Sequence, residues 1–580
     1  MEKCVVFDLE ATGKRVTDRF RVGCLKYSSV LGVEVFTNVE KFVVALGDAL
    51  EEGYFLAGHN ILTYDLPLLC RQYYRFQKAI YRHPLKFIDT LLLSRREFPK
   101  RRRHSLDSWG VTLGDKKIVV DDWENATEKE LINRCVQDVR LTENLLNHIV
   151  KEVGPKSLGA SYYPWIIDMM AEGVPYNIEV GRKVYANISN IAEYYSFKAR
   201  GELENWCPGI NLNSNAQVHK ALIKRYGEGL PMGEPSEKTK KCSPLFNKGN
   251  ANSVVAEFPI LRPLQKAREL KGLVDYLKEG EGKKSLPNKA VNVKDGVGRI
   301  FPTLSLFGSV TGRNQYSSPP LNQVAIKVRQ AITAPKGWLM LGVDISSLEM
   351  AIFGLTLEML SGDRSVLNDL ENGVCPKQKT VDYLRPAMDA MAANNPKRDP
   401  LRVAKTVNYG HLYGQHPWNT CQEVLGLNPE IWFNEVESGL KARFPGSERV
   451  KKLLEEMNRQ DGYIKTMFGH KLTGPDHVLL NYFVQSTGAE YALIKLGLIN
   501  NFMVNEAEFS NVTVVRPFLQ NHDEGQWLVW CSEKKMKERV VPQVEAFING
   551  PLAERFKALA GIPLITGAEV KWGHNWEDTH

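Results

Sequence analysis

Residues 402–414 read Arg-Val-Ala-Lys-Thr-Val-Asn-Tyr-Gly-His-Leu-Tyr-Gly, and this stretch determines how the other segments are interpreted. Arg402, Lys405, Tyr409 and Tyr413 follow one another at steps of 3, 4 and 4 residues, so on a helix they form one stripe of cations and aromatic rings. Lys and Arg bind phosphate oxygens and Tyr stacks on bases, so the stripe suits a nucleoside triphosphate. A helix with a solvated basic face would show the same spacing, so on this segment alone the two interpretations are equal.

Two acidic segments flank this stripe along the chain. Residues 338–343 are an apolar run that predicts a buried strand ending at Asp344. Further on, residues 512–515 and 526–530 predict two strands around Asn521-His522-Asp523-Glu524-Gly525, a hairpin that presents adjacent acids at its tip. An acidic turn by itself is normally only solvated, so the order of the three segments carries the information.

The beginning of the chain carries another acidic pattern. Val5-Val6-Phe7 predicts a buried strand, and Asp8 and Glu10 follow it with one residue between them, so both carboxylates point to the same side. Asp65 falls at a turn and helix start, and Asp138 lies inside a helical pattern over residues 128–150. Mg²⁺ is the usual partner of such oxygen ligands. A solvated strand end would explain a lone Asp-x-Glu equally well, but the two further acids favour the metal.

The composition indicates a globular chain that is too long for a small binding module. At 580 residues it should hold about three or four folding units. Lys+Arg 75 against Asp+Glu 67 gives a net charge of +8, a modest excess that favours an anionic partner. The nine scattered cysteines form no Cys-x-x-Cys pair, and no signal peptide or membrane-spanning run is evident. We therefore expect a soluble, cytoplasmic protein.

The three central segments, taken together, resemble a known family. Asp-x4-Glu from Asp344 to Glu349, Lys-x3-Tyr-Gly-x2-Tyr-Gly from Lys405, and His-Asp-Glu from His522 closely resemble motifs A, B and C of family A DNA polymerases, the DNA polymerase I family. Thr311-Gly312-Arg313 and the pair Asn481 and Gln485 fall where that family places similar segments. The resemblance extends over nearly the whole chain.

The N-terminal region resembles the DEDD 3′–5′ exonuclease superfamily, in particular the proofreading domain of phage replicative polymerases. The acids Asp8, Glu10, Asp65 and Asp138 follow the order of that superfamily, in which they bind two metal ions. Asn60 is implied to contact the single-stranded DNA 3′ end.

By this resemblance the fold is α/β multidomain, with an RNase H-like exonuclease domain over residues 1–155 and a right-hand polymerase domain over residues 156–580. The polymerase domain is expected to have a thumb at about 190–300, a palm at about 300–375 and 500–580, and fingers at about 376–490. Residues 279–298 are rich in Lys, Gly and Asn and predict a mobile, solvated connection. This connection is too short for a thioredoxin-type processivity insertion, and we expect no 5′-nuclease before the first strand.

The resemblance also implies roles in the polymerase region. Asp344, Asp523 and the carbonyl of Ile345 are implied to hold two Mg²⁺ ions, with Glu524 among the catalytic acids and Mn²⁺ as a substitute metal. Lys405, Arg402 and the further candidate Arg398 are implied to bind the dNTP triphosphate. Tyr409 is implied to pack beside the incoming nucleotide, Tyr413 to lie near the templating base, and Glu349 to exclude a ribose 2′-hydroxyl. Contacts to primer-template DNA are implied for Arg313, Asn481, Gln485 and His522.

Three departures from the family pattern stand out. Arg134 occupies the place of the Tyr that precedes the last exonuclease acid in the polymerase branch. Leu401 stands where an Arg usually precedes the motif B Lys, and Arg398 and Arg402 lie close by. No Asp-x-His segment is evident over residues 374–389, so one triphosphate contact is expected to come from elsewhere.

The leading hypothesis is a monomeric DNA-directed DNA polymerase with a 3′–5′ exonuclease. Basic residues in the thumb-like region are candidates for contacts to DNA phosphates: Lys238, Lys240, Lys241, Lys266, Arg268 and Lys271. One alternative is a relative of the single-subunit RNA polymerases, against which Glu349 and His-Asp-Glu argue. The other alternative is a nuclease-active DNA-binding protein with an altered polymerase site, which the complete set of acids disfavours.

Overall fold

The computed structural model describes residues 3–30, 32–120, 122, 125–154, 160–235, 241–247, 250–280, 282, 284–511 and 513–580. Lys238 and Lys240, predicted to contact DNA, lie outside these residues. In the described part of the chain, no helix combines the length and the apolarity needed to cross a membrane.

The N-terminal unit is a five-stranded mixed sheet in the order β3-β2-β1-β4-β5. β1 pairs antiparallel with β2 and parallel with β4. Its elements are β1 (Cys4–Ala11), β2 (Phe20–Tyr27), β3 (Glu34–Phe36), α1 (Val39–Glu51), β4 (Phe55–Gly58), α2 (Asp65–Gln72), α3 (Arg75–Arg82), β5 (Phe87–Asp89), α4 (Thr90–Glu97), α5 (Leu106–Leu113) and α6 (Glu128–Val153).

The alternation of β1 places its two acids. Phe7 and Leu9 belong to a cluster with Phe42 of α1, whereas Val6 packs with Cys135 of α6 in a second cluster. Asp8 and Glu10 continue the face of Val6, because side chains two residues apart on a strand share a face. The strand therefore aims both carboxylates at α6, the helix that carries Asp138.

A helical and a small β segment follow the N-terminal unit. Their elements are α7 (Tyr163–Glu172), β6 (Val174–Asn177), α8 (Ile178–Leu203), α9 (Asn215–Tyr226), α10 (Ala251–Glu257), α11 (Arg262–Leu277), β7 (Ala290–Lys294) and β8 (Val297–Ile300). The prediction of a mobile, solvated connection over residues 279–298 is wrong for its second half, since β7 and β8 form a hairpin that pairs with β6. Asp295 and Gly296 at its turn both have positive φ, the conformation that an Asp-Gly hairpin turn favours.

The remaining chain is built on a four-stranded antiparallel sheet in the order β14-β15-β11-β16. Its elements are β9 (Thr303–Ser305), β10 (Gln315–Ser317), α12 (Ile326–Arg329), β11 (Leu339–Ile345), α13 (Leu348–Ser361), α14 (Ser365–Glu371), α15 (Pro376–Tyr383), α16 (Arg385–Asn394), α17 (Pro400–Leu412), α18 (Pro417–Asn419), α19 (Pro429–Arg443), α20 (Ser447–Asp461), β12 (Ile464–Lys465), β13 (Lys471–Leu472), α21 (Leu479–Asn501), β14 (Val515–Asn521), β15 (Glu524–Val529), α22 (Glu533–Lys535), α23 (Val541–Asn549), α24 (Leu552–Ala560) and β16 (Ala568–Gly573).

The long helix α21 packs against α13 and is buried along most of its length.

The first hairpin strand was predicted too early, at residues 512–515, since β14 begins at Val515. β14 runs directly into the turn that carries Asp523 and then into β15. The sheet thus brings the ends of β11 and β15 side by side.

Candidate active sites

The two predicted palm acids meet where β11 ends and β15 begins. Asp344 pairs with Glu524 in the strand register, and the backbone N–H of Ile345 donates a 3.1 Å hydrogen bond to the carbonyl of Asp523. Asp344, Ile345 and Asp523 line one cavity of about 480 Å³. Backbone pairing, rather than side-chain contact, therefore fixes the separation of the two carboxylates.

The electrostatics of this cavity favour a cation. Burial, followed by the charges of Asp523 and Glu524, raises the pKa of Asp344 to about 6. The pKa of Asp523 is also raised, mainly by burial. Two half-buried carboxylates whose charged forms are both disfavoured, beside the carbonyl of Ile345, form a suitable oxygen set for Mg²⁺.

Glu524 lies outside this cavity, although it was predicted among the catalytic acids. Its carboxylate is buried and accepts hydrogen bonds from Trp576 Nε1 at 2.7 Å and from Gln526, with His580 Nδ1 at 3.2 Å and Arg329 Nη1 at 3.7 Å. Burial alone would raise the pKa of Glu524, but the hydrogen bonds from His580 and Trp576 and the charge of Arg329 lower it. Glu524 thus stays charged and anchors β15 beside Asp523.

Arg402, Lys405 and Tyr409 of the basic stripe lie on α17, as predicted, and Tyr413 follows its last residue. Lys405 and Tyr409 line the cavity, with the Lys405 ammonium 5.7 Å from the centre of the Tyr409 ring. The rings of Tyr409 and Tyr413 stack with centroids 6.0 Å apart. Arg402 is exposed and does not line the cavity. Arg398 is occupied elsewhere, because its guanidinium donates to the carbonyls of Val424 and Leu425.

Glu349 stands opposite the stripe at the first turn of α13. Its carboxylate is paired with Arg313 and accepts a hydrogen bond from the Tyr413 hydroxyl at 3.2 Å. Glu349 and Arg313 therefore build one wall of the cavity, and the Tyr413 hydroxyl holds the Glu349 carboxylate from behind. Gln485 and His522 line the same cavity, whereas Asn481 lies one turn before Gln485 on α21.

Lys377 is a functional candidate that the sequence analysis missed. It is on the first turn of α15 and lines the same cavity as Lys405. The hydroxyl of Thr380, one turn further along α15, donates a 2.6 Å hydrogen bond to Asn408 of α17, and both residues are buried. This bond fixes α15 against α17, the helix that carries Lys405. Residues 374–389, which lack the Asp-x-His segment of the family, therefore supply a cation to the cavity.

The N-terminal acids form a second cluster. Asp8, Glu10 and Asp138 each offer an oxygen within 4.8 Å of the others, and the Asp138 Oδ1 atom is buried without a hydrogen-bond partner in the described part of the chain. Burial is the largest cause of a raised pKa at Asp8 and Asp138, and the mutual repulsion of the acids adds to it at Asp8. Asp65 is buried at the start of α2 and its charge raises the pKa of Asp8 further. The donor set therefore fits a divalent metal.

Two cations enter this cluster, and one of them was not predicted. Arg134 Nε lies 2.8 Å from Glu10, and Lys117 Nζ lies 2.5 Å from Asp138. Residues 118–120 form no strand. The N–H of Ile118 donates to the side chain of Gln137, and its carbonyl accepts from Arg134.

A cavity of about 740 Å³ opens beside the acidic cluster. It lies between the N-terminal unit and residues 303–305 of β9, and its cationic or polar lining includes Asn60, Arg95, Arg102, Lys117 and Arg134. Asn60 is held in a left-handed conformation by its backbone bond to Asp89. This lining suits a phosphodiester backbone.

In the thumb-like region, Arg268 was predicted to contact DNA phosphates and is instead a structural residue. Its guanidinium donates to the carbonyls of Leu212 and Phe246 and to Asn215 Oδ1. The Arg268 guanidinium therefore joins α11 to the loop before α9.

This arrangement, an antiparallel sheet with paired acids that faces a helix with Lys and Tyr, is typical of polymerase folds. A sequence profile of DNA polymerase family A matches residues 197–578, and the chain belongs to this family. The profile covers the four-stranded sheet, both of its acids and α17.

Individual relatives are similar at moderate identity. The thermostable DNA polymerase I of Thermus aquaticus is 27% identical over 379 residues, which are 61% of this chain and 41% of that protein. DNA polymerase I of Chloroflexus aurantiacus is 25% identical over 469 residues, which are 76% of this chain and 45% of that protein. The DNA polymerase of Mycobacterium phage L5 is 26% identical over 243 residues, covering 40% of this chain and 38% of that protein. The chain spans less than half the length of these relatives.

A solved structure shares the fold. The POL domain of Pol1 from M. smegmatis, in complex with DNA primer-template and dNTP, aligns with a TM-score of 0.74 at 16% identity. The alignment covers 100% of this chain and 96% of that one. The similarity therefore includes the N-terminal unit, which the family profile leaves out.

Proposed function

We propose that this protein is a DNA-directed DNA polymerase that adds dNTPs to a primer 3′ end. The observation that carries the proposal is the convergence of Asp344, Asp523, Lys405, Tyr409 and Glu349 on one cavity. Asp344, Asp523 and the carbonyl of Ile345 would hold Mg²⁺, which when bound lowers the pKa of the primer hydroxyl and neutralises charge on the leaving pyrophosphate.

The remaining side chains bind and orient the substrates. Lys405 and Lys377, on two helices that are fixed together, would bind the triphosphate oxygens. Tyr409 would pack against the nucleotide, with its ring held by the stacked ring of Tyr413. Glu349, held by Arg313 and Tyr413, would leave no room for a 2′-hydroxyl.

Recognition of the primer terminus would come from the other side of the cavity. Gln485 and His522 offer hydrogen-bonding groups there, and acceptors in the minor groove are common to all correct base pairs. Such contacts check the shape of a pair without reading its sequence.

We infer a second activity, 3′–5′ excision, at the N-terminal cluster. Asp8, Glu10, Asp65 and Asp138 would hold divalent metal, which when bound activates water and stabilises the leaving oxygen of a phosphodiester. The cavity lined by Asn60 and several cations would receive the single-stranded 3′ end. We include two further points in this proposal: the excision serves proofreading, and the N-terminal unit is related to the proofreading domain of phage replicative polymerases.

A primer-extension assay with Mg²⁺ tests both activities. Wild type is compared with Asp523→Asn and Asp8→Asn, each with and without dNTPs. We expect Asp523→Asn to lose extension and keep primer shortening, and Asp8→Asn to show the opposite pattern. Extension that survives in Asp523→Asn contradicts the palm assignment, and shortening that persists in Asp8→Asn contradicts the excision assignment.

The same assay separates DNA synthesis from the RNA polymerase alternative. Glu349 narrows the cavity at the sugar position, so dNTPs should be used strongly in preference to rNTPs. Equal use of rNTPs would favour the single-subunit RNA polymerase relationship.

A further inference from the structure

Lys117 enters the acidic cluster of the N-terminal unit from a segment with no regular secondary structure. Its Nζ atom lies 2.5 Å from Asp138 Oδ2, with the lysine side chain 20% and the aspartate side chain 2% exposed. A lysine placed this deeply has lost much of its hydration, so a specific partner is required to hold it there.

Residues 115–118, here called the strap, are fixed to α6 by several hydrogen bonds. Gln137 accepts from the Ile118 N–H at 2.6 Å and donates to the Lys116 carbonyl at 2.5 Å and to Asp115 Oδ1 at 3.2 Å. Arg134 Nη1 donates to the Ile118 carbonyl at 3.2 Å. The bonds bracket Lys117 on both sides, so the strap presents its side chain to the cluster.

The charges of the cluster can be counted. The carboxylates of Asp8, Glu10, Asp65 and Asp138 carry four negative charges when ionised, and Lys117 and Arg134 supply two positive ones at direct contact. Four minus two leaves two negative charges, which is the charge of one divalent ion. A second divalent ion would leave the cluster with an excess of two positive charges in a buried site, which is unfavourable.

The open ligand atoms agree with this count. Asp138 uses Oδ2 for Lys117, and its Oδ1 atom is buried and has no hydrogen-bond partner among the residues that the structure describes. Oδ1 therefore remains available for one ion together with Asp8 and Glu10.

We propose that Lys117 is a built-in cation of this cluster, so that the N-terminal site binds one divalent ion where the four carboxylates alone would accept two. The inference rests on the excision site proposed above. Lys117 is then a positioning residue for Asp138, and the strap, by holding Lys117, determines how many metal ions the site binds.

Mn²⁺ binding to the full-length chain, counted by electron paramagnetic resonance of the free ion, tests this proposal. Asp344→Asn and Asp523→Asn are introduced together so that the palm acids do not contribute. In this background we expect one bound Mn²⁺ with Lys117 present and two in Lys117→Met. The matched control is Lys116→Met, because Lys116 is exposed and contributes its backbone carbonyl to the strap.

A second variant tests the strap itself. Gln137→Met removes its three hydrogen bonds and leaves every charge in place, so we expect a second Mn²⁺ that binds more weakly than in Lys117→Met. The same ion count with Lys117 and with Met at this position overturns the role of Lys117 and leaves the excision site standing. An absence of Mn²⁺ binding in both proteins overturns the metal site, and with it both the excision proposal and this one.

Discussion

Arg96 of α4 and Glu490 of α21 form a buried ion pair, with Nη1 and Oε1 2.8 Å apart. Asp89 caps the N-terminus of α4, and its carboxylate accepts the backbone N–H groups of Asn60 and Leu62 next to the acidic cluster. α21 carries Gln485, which lines the cavity of Asp344 and Asp523 and precedes Glu490 by five residues. The pair therefore joins the helix that begins beside the N-terminal acids to the helix that carries Gln485.

The first prediction concerns the stability of this junction. Glu490→Gln leaves the Arg96 charge buried without its partner, so we expect the free energy of unfolding to fall by about 3 kcal/mol. The double variant Arg96→Met with Glu490→Leu removes both charges and should recover most of this loss. Urea unfolding followed by tryptophan fluorescence measures both changes.

An exposed pair provides the control for this prediction. Arg182 and Glu279 lie 2.7 Å apart with side chains 60% and 52% exposed, so Glu279→Gln should lower the free energy of unfolding far less than Glu490→Gln does. If Glu490→Gln were no more harmful than Glu279→Gln, the junction would not depend on the buried charges.

The second prediction concerns Lys377 and the dNTP. Loss of one charge-assisted phosphate contact costs about 1.5 kcal/mol, so Lys377→Met should raise the KM for dNTP about tenfold while kcat changes little. Steady-state primer extension with a varied dNTP concentration measures both constants.

Lys379→Met is the matched control, because Lys379 is on the same helix and does not line the cavity. An unchanged KM in Lys377→Met would remove Lys377 from the triphosphate site. A fall in kcat alone would place its effect on the chemical step.

Local patterns predicted those parts of the molecule that depend on a single element. The period of β1 placed Asp8 and Glu10 on one face, and the spacing on α17 placed Lys405 beside Tyr409. The Asp295-Gly296 turn also carried a hairpin signal, which the Lys-rich composition around it concealed.

The missed residues depend on contacts between elements. Lys377 reaches the cavity because Thr380 and Asn408 join two helices, and no period in either helix predicts that bond. Lys117 reaches its cluster because Gln137 of α6 binds the backbone on both sides of it, at Lys116 and Ile118. Glu524 was predicted among the catalytic acids, but it lies outside the cavity because Trp576 of the C-terminal segment donates a hydrogen bond to its carboxylate.

The third prediction concerns sugar discrimination. Glu349→Ala opens the wall at the sugar position, so the rate of rNTP incorporation relative to dNTP should rise by about 10- to 100-fold. Tyr413→Phe removes the hydrogen bond to Glu349 and keeps the carboxylate and its Arg313 partner, so it should have a much smaller effect. Competition assays with paired dNTP and rNTP measure the ratio, and equal effects of the two substitutions would contradict the role of the carboxylate.

The fourth prediction concerns Asp168, which links α7 to the N-terminal unit and to the large sheet. Its carboxylate accepts hydrogen bonds from the Gln77 amide and the Tyr81 hydroxyl. The Tyr81 hydroxyl accepts a hydrogen bond from the Asn500 amide, and Trp527 Nε1 donates one to Asn500 Oδ1 at 2.9 Å. Burial raises the pKa of Asp168 to about 7. The folded chain therefore keeps a proton on Asp168 that the unfolded chain loses above about pH 4.

The sign of the pH effect follows from that proton. Between about pH 4 and 7 unfolding releases it, so rising pH favours the unfolded state by up to about 1.4 kcal/mol per pH unit. Asp168→Asn has no proton to release, so its stability relative to wild type should improve as the pH rises from 5 to 7. Urea unfolding at several pH values measures this difference, with Asp461→Asn on the surface as the control. Parallel pH profiles for wild type and Asp168→Asn would show that Asp168 is already ionised in the folded chain.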